Sequence, residues 1–298
     1  MGLLDLFKKK TGPTSAPPSR PAAAPYTADM VQAVLKELYL RTRQPVIRLA
    51  LTGDAPALAA SKLGGLPYLP PGAAVPTTAA GQQLTLLAQI RCEELPANSL
   101  YPPAGLVQFY ILNDDLLGLQ NFDALDDQSA SRVLFWPRVD LAVTAEQVRP
   151  RYRPYGEEDD YFPFTGCFGL RFSLEEEGMS SCDHRFDAVF CALWASLYPQ
   201  VPLAHWYDLP DALTEDPFND LSGFGHKLGG YPAFTQEDPR DCHGRYAPYS
   251  QLLLQIDSAG LGSREIMWGD SGVAGFFAPA GALAAGDTSR ILYNWDCF

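Results

Sequence analysis

The chain has 298 residues, 47% of them hydrophobic and 19% charged, which excludes a disordered polymer and leaves enough apolar material for a large core. The net charge of -13 is uneven: residues 1–25 carry +3 and the remainder -16, so the acidic body repels phosphate backbones and no nucleic-acid partner is expected. No run approaches the ~20 apolar residues of a transmembrane helix. In Met1–Lys10 the lysines follow a short apolar run, the reverse of a secretory signal.

Residues 11–25 are Pro, Ala and Ser with almost no large apolar side chain, and read as a linker that tethers the basic tip. The tip, with Leu3, Leu4, Phe7 and three lysines, is the one place where peripheral membrane contact is conceivable; a solvated terminus is the plainer reading. Val31, Val34, Leu35 and Leu38 recur at helical spacing and predict a helix over about 28–43, with Thr27 as its cap and Pro45 as its stop. Phe186, Val189, Phe190, Leu193 and Leu197 predict a second over about 182–197, capped by Ser181 or Asp183. Short aliphatic or aromatic runs bounded by Gly, Pro or Asp predict strands at 46–51, 85–90, 107–112, 132–136, 167–172, 252–256 and 290–293. The six cysteines, at 92, 167, 182, 191, 242 and 297, form no C-x-x-C pair and read as free thiols of a reducing cytoplasm.

Several motifs occur twice, in one order. Lys62-Leu63-Gly64-Gly65-Leu66-Pro67 returns as Lys227-Leu228-Gly229-Gly230-Tyr231-Pro232, Leu86–Ile90 as Leu252–Ile256, Gly105–Tyr110 as Gly272–Phe277, and Ser131–Phe135 as Ser289–Tyr293. The expectation is an internally duplicated α+β fold, sheet-rich and mostly antiparallel, with peripheral helices and two pseudo-symmetric halves. The tail would span 1–25 and one domain 26–298. Its half-repeats would cover about 45–136 and 210–298, with 137–209, including the acidic run 157–160, as the bridge.

Lys227–Pro232, Leu252–Asp257, Met267–Gly272 and Tyr293–Cys297, together with Gly64–Pro70 and Leu86–Ile90, resemble the YwqG-like family of bacterial domains of unknown function over about residues 45–298. The resemblance implies a duplicated, sheet-rich α+β fold with no established activity and no assigned catalytic residues. It also makes a protein-binding, immunity-like role conceivable, because some members are encoded near secreted toxin systems.

Polar residues present in both copies read as needs of the shared fold, and those present in one copy as better site candidates. Lys62 and Lys227 are shared, and each reads as capping carbonyls, pairing with a buried acid, or meeting a ligand. Gln89 and Gln255 lie inside apolar strands and are expected to hydrogen-bond between the halves. His226, Asp257, Trp268 and Asp270 are unshared. Asp238, Arg240, Cys242 and His243 form a polar loop that, folded over His226, would suit an anion or a metal; the 17-residue gap from His226 to His243 is no recognised ligand spacing, so no metal and no cofactor are expected. Gly269-Asp270-Ser271-Gly272 imitates the nucleophile motif of trypsin-like proteases without its other elements, and no Walker, G-x-S-x-G or G-x-G-x-x-G motif occurs.

The sequence therefore points to a non-enzymatic cytoplasmic binding protein. Its protein partner or small ligand would occupy a groove between the halves, near Lys62, His226, Lys227, Trp268 and Asp270. The rival is a hydrolase-like enzyme with His226 or His243 as base and Asp257 or Asp270 as its partner.

Overall fold

Thr27 opens the first helix as its spacing predicts: the side chain accepts the Met30 N–H at 3.4 Å, and α1 runs over Ala28–Thr42. Val31, Val34 and Leu38 are its buried stripe. The computed structural model to which it belongs describes residues 26–154, 161–219, 221–240 and 244–298. The tail, the acidic run 157–160, Cys242 and His243 lie outside the described residues. Two short helices that periodicity did not reveal are α2 (Ala145–Val148) and α4 (Asp211–Asn219). The remaining one, α3, covers Phe186–Leu197 and begins four residues later than expected. The reason is local. Asp183, the expected cap, accepts the N–H of Arg185 at 3.0 Å and its guanidinium at 2.7 and 2.8 Å, so residues 182–185 form a turn in front of the helix.

Among the described residues ten strands make one sheet: β1 (Gln44–Thr52), β2 (Lys62–Gly64), β3 (Thr85–Arg91), β4 (Leu106–Ile111), β5 (Ser131–Trp136), β6 (Cys167–Glu177), β7 (Lys227–Gly229), β8 (Gln251–Asp257), β9 (Val273–Ala278) and β10 (Leu292–Asp296). Their order is β10-β9-β8-β7-β1-β6-β2-β3-β4-β5, and all pairs are antiparallel. The expected α+β architecture in two pseudo-symmetric halves is thereby corrected. The chain folds as a single, mostly β sheet that curls into a nearly closed barrel, with few short helices. The segment read as a bridge supplies β6, which pairs β1 along nine residues and β2 along three in the middle of the sheet. The recurring motifs are strands of this one sheet. Lys62 stands opposite Gln89 and Lys227 opposite Gln255, and both neighbouring ladders carry an irregularity, at Leu86/Ala88 and at Leu252/Leu254.

The curl brings β4 and β9 face to face: the Phe109 and Phe276 rings meet edge-on at 5.1 Å. Where the barrel nearly closes, Tyr293 N–H donates to Leu125 O at 3.0 Å and the Trp295 indole to Leu116 O at 2.8 Å, so the loop after β4 covers the edge of β10. The interior holds Leu63, Leu87, Ile90, Val107, Leu228, Leu254 and Phe277, all removed from solvent. The continuous apolar runs Leu86–Ala88 and Leu252–Leu254 follow from this, because both faces of these strands are covered. α1, α3 and α4 form a satellite layer around Phe186, Phe190, Trp194 and Phe218.

Candidate functional site

At one end of the barrel the start of β1, the end of β6, the end of β7 and the start of β8 come together, as antiparallel pairing requires. The loop around Leu100 and the turn before α3 reach the same end. Between them lies a cavity of about 470 Å³. Its apolar wall is Ile47, Leu100, Leu228 and Leu252, with half-exposed Leu174 at the rim. Its polar wall is Asp183, Arg185 and Arg240, with Tyr231 and the backbone of Gly229 and Gly230.

The polar wall is a chain of ion pairs. Arg240, 4% exposed, grips Asp238 through Nε at 2.8 Å and Nη2 at 2.6 Å, and its Nη2 also reaches Asp183 Oδ2 at 3.4 Å. Arg185 grips the same Asp183 through Nε and Nη2, the latter on Oδ2 at 2.8 Å. The two guanidiniums thus meet at one carboxylate oxygen. Burial pushes the Asp183 carboxyl up, but the hydrogen bonds and charges of Arg185 and Arg240 outweigh it and hold it below the usual range. Arg240 is also stacked over the Phe277 ring, 4.8 Å from its centroid. Asp183, His184 and Asp238 each offer an atom within 4.8 Å of the others, a spacing that would suit a cation. Arg185 and Arg240, however, occupy the oxygens of both aspartates, and Asp238 also accepts the His184 N–H at 3.2 Å.

Gly230 forms the turn beside the cavity at φ +70°, with Gly229 at φ +72°. A Cβ on Gly230 would collide with Glu177 Oε1. Glu177 is the hub beneath this turn: it accepts Lys227 Nζ at 3.0 and 3.1 Å, Arg48 Nη2 at 2.8 Å and the Tyr231 N–H at 2.5 Å. Lys227 is fully buried, and desolvation lowers its ammonium to about 8 against the opposing pull of Glu177.

The sequence-derived candidates are distributed differently. Lys227 lies under the cavity floor, paired to Glu177. Lys62 is buried and caps a carbonyl, donating to Leu58 O at 2.8 Å; desolvation lowers it to about 8 as well, with Cys167 opposing. His226 is buried with both ring nitrogens engaged: Nε2 donates to Ala259 O at 2.7 Å, and Nδ1 accepts the Asp257 N–H at 3.0 Å. The Asp257 carboxylate takes the N–H groups of Gly225 and Ser258. Trp268 is fully buried against Trp295, ring centroids 6.3 Å apart, whereas Asp270 is exposed in a turn. Of the polar loop, Asp238 and Arg240 join Asp183 rather than folding over His226; Cys242 and His243 are outside the described residues.

The glutamines also depart from expectation. Gln89 accepts the Tyr68 N–H and donates to Leu58 O and Ala60 O, while Gln255 accepts the Ala233 N–H and donates to Gly223 O and Gly225 O. Each ties down the loops beside its own strand and does not bond from one repeat to the other. What sequence reasoning missed is Asp183 with Arg185, which the helical periodicity absorbed as a cap and first turn. The available signal was an Asp-His-Arg cluster set in front of an otherwise apolar helix.

At the opposite end of the barrel Gly64-Gly65 forms a similar turn, at φ +65° and +71°. There Phe162 and Phe164 fill the end: Phe164 lies in edge contact with Phe162 at 5.1 Å and with Phe168 at 5.7 Å, and only about 190 Å³ remains open. One barrel mouth is plugged by aromatic rings, and the other is lined by arginines.

Comparison with known families gives one result: a domain of unknown function, DUF1963, matches residues 61–297. No curated protein matches the chain.

Proposed function

We propose a function from the premise that this chain belongs to the DUF1963 family, a domain of unknown function: it is a non-enzymatic binding protein of the cytoplasm that takes a small ligand in the open mouth of its barrel. The observation that carries this reading is the cavity of about 470 Å³, in which a buried apolar wall faces a pair of arginines. Binding sites for small molecules have this build, concave and mostly apolar with a few placed polar groups, at volumes of about 300–1,000 Å³. The free thiols of Cys92, Cys167, Cys182, Cys191 and Cys297 suit a reducing compartment.

The hydrolase reading rests on a histidine free to take a proton. His226 spends Nε2 on Ala259 and Nδ1 on a backbone N–H, and Asp270 is exposed in a turn; His243 lies outside the described residues. Among the described residues, nothing links His226 or Asp270 to the cavity.

The test is a small-molecule library screened by NMR against the full chain, with Ser250→Trp, a substitution at the exposed rim, as the blocked control. The expected result is a set of compounds that shift the amide signals of Gly229, Gly230 and Leu252 in the wild type and not in the folded variant. A library that leaves those signals unmoved, alongside a pull-down that recovers a specific protein partner, overturns the small-ligand reading.

A further inference from the structure

We propose that the groove between the loop after β4 and the end of β10 is a docking surface for the chain's own N-terminal segment, residues 1–10. The groove shares no lining residue with the barrel mouth, so the two are tested separately.

The groove has a volume of about 700 Å³ and is mostly apolar. Leu119, Phe122 and Trp295 line it, and Phe122 is 65% exposed. A phenylalanine left that open beside a half-buried tryptophan is apolar surface without a partner. The Trp295 indole is held by Leu116 O at 2.8 Å and its ring lies against Trp268, so this wall is formed in advance.

Asp115, Glu237 and Asp296 line the same groove, and among the described residues no lysine or arginine does. Asp115 and Glu237 are exposed. Burial pushes the Asp296 carboxyl up, and hydrogen bonds from Thr235, Gln236 and Asn294, not a cation, pull against it. Nearby Asp126, by contrast, already holds Arg245 at 2.6 Å. Three acids without a base attract a cation. Neither end of the barrel combines this charge with an apolar wall: at the open mouth Asp183 and Asp238 are held by arginines, and no acid lines the plugged end.

Residues 1–10 supply the complement. Leu3, Leu4, Leu6 and Phe7 are followed at once by Lys8, Lys9 and Lys10, with Asp5 the one acid. The apolar side chains suit Leu119, Phe122 and Trp295, and the ammonium groups suit the three carboxylates. The chain's other lysines, Lys36, Lys62 and Lys227, stand alone in the sequence.

The segment is long enough to arrive. The described chain begins at Tyr26, whose ring packs on Trp194 at 5.6 Å. Phe190 and Phe186 follow at ring steps of 6.2 and 5.7 Å. Phe186 shares a cavity of about 400 Å³ with Gln236 and Glu237, which also line the groove. Residues 11–25 reach up to about 50 Å when extended, well beyond three ring steps and the width of one small cavity.

The test uses the full chain, the triple variant Lys8→Glu/Lys9→Glu/Lys10→Glu, whose changes lie outside the described residues, and Phe122→Ser, whose fold is checked by its melting temperature. NMR follows the amides of Leu119 and Phe122 and the Trp295 indole at low salt and at roughly 0.5 M salt, where charges are screened within about 4 Å. Carbodiimide crosslinking with mass spectrometry records which carboxylates the three lysines reach. The expected result is that the triple change shifts the groove signals at low salt and that the difference at least halves at high salt. Lys8, Lys9 and Lys10 should crosslink to Asp115, Glu237 or Asp296 within one chain, at least fivefold less in Phe122→Ser. Groove signals identical in the wild type and the triple variant overturn the proposal, whether the tip stays in solvent or carries the full chain onto phosphatidylserine vesicles. Crosslinks spread over the acidic surface and unchanged in Phe122→Ser overturn the groove as the dock. Crosslinks mainly between two chains, with shifts that grow with protein concentration, overturn docking within the chain in favour of a second copy.

Discussion

Lys227 and Glu177 form a largely buried ion pair at the foot of the Gly229-Gly230 turn, with Nζ 3.0 and 3.1 Å from the two carboxylate oxygens, the lysine side chain 0% exposed and the glutamate side chain 10% exposed. The pair joins β7 to the end of β6 across β1, and so fixes the strand ends that frame the cavity. A buried pair is a poor source of net stability, but breaking it leaves an uncompensated charge. Lys227→Met should therefore cost about 3–5 kcal/mol in urea unfolding, towards the lower end because Arg48 still holds Glu177. The double variant Lys227→Met/Glu177→Gln should cost less than the sum of the two single changes. Strict additivity in that cycle would mean that the two side chains are not coupled.

Gly230 is required both by its backbone and by its surroundings. At φ +70° an added Cβ is strained, and here it would also meet Glu177 Oε1. Gly72 is the internal control, at φ +78° with nothing within 4 Å of its Cβ position. Gly72→Ala should cost about 1–2 kcal/mol, the backbone cost alone. Gly230→Ala should cost about 1–3 kcal/mol more, the cost of overpacking, and should shift the amide signals of Lys227 and Tyr231. Equal losses at the two positions would remove Glu177 from the argument.

Lys62 gives stability an alkaline dependence whose sign can be worked out. Desolvation lowers its ammonium to about 8 in the folded chain, while the unfolded chain keeps the ordinary value of 10.5. Between those values the unfolded state holds the proton that the folded state has released, so raising the pH favours folding. Against Lys62→Met, the wild type should gain stability as pH rises from 8 to 10.5, by about 3 kcal/mol at the upper end. Denaturant unfolding of the pair at pH 7.5, 9 and 10.5 measures it, and a flat difference would place the ammonium in contact with water.

His226 works in the acid range. Burial pulls its ring below 6.5, against Ala259 O and Asp257, and the Asp257 N–H aimed at Nδ1 leaves no room for a second ring proton. As pH falls through 6.5, the unfolded chain takes up a proton that the folded chain refuses, so stability is lost in that window. His226→Gln should make the stability profile shallower below pH 6.5 relative to wild type. An NMR titration in which the His226 ring protonates at or above 6.5 would contradict the neutral assignment.

The helical face of α1, with Thr27 as its cap, was legible because periodicity and capping are local. The strands at 46–51, 85–90, 107–112 and 252–256 were legible for the same reason, to within a residue or two of β1, β3, β4 and β8. The three-residue strands β2 and β7 carry too few side chains for any period. Carbonyl capping and pairing with a buried acid were among the roles read for Lys62 and Lys227. The identity of the partners of Lys227 and His226 was not legible, because Glu177 and Ala259 are 50 and 33 residues away in the chain.

The order of apolar and turn residues by itself determined the recurring strands, the Gly-Gly turns and the absence of any familiar catalytic signature, since each is a matter of neighbours along the chain. Only the tertiary structure decided that these strands close into one curled sheet rather than two bodies. It alone decided that one barrel mouth is filled by Phe162 and Phe164 while the other is left to Arg185 and Arg240. The physical reason is that sheet closure and ion pairing join segments far apart in sequence, and no local pattern carries the geometry of their meeting.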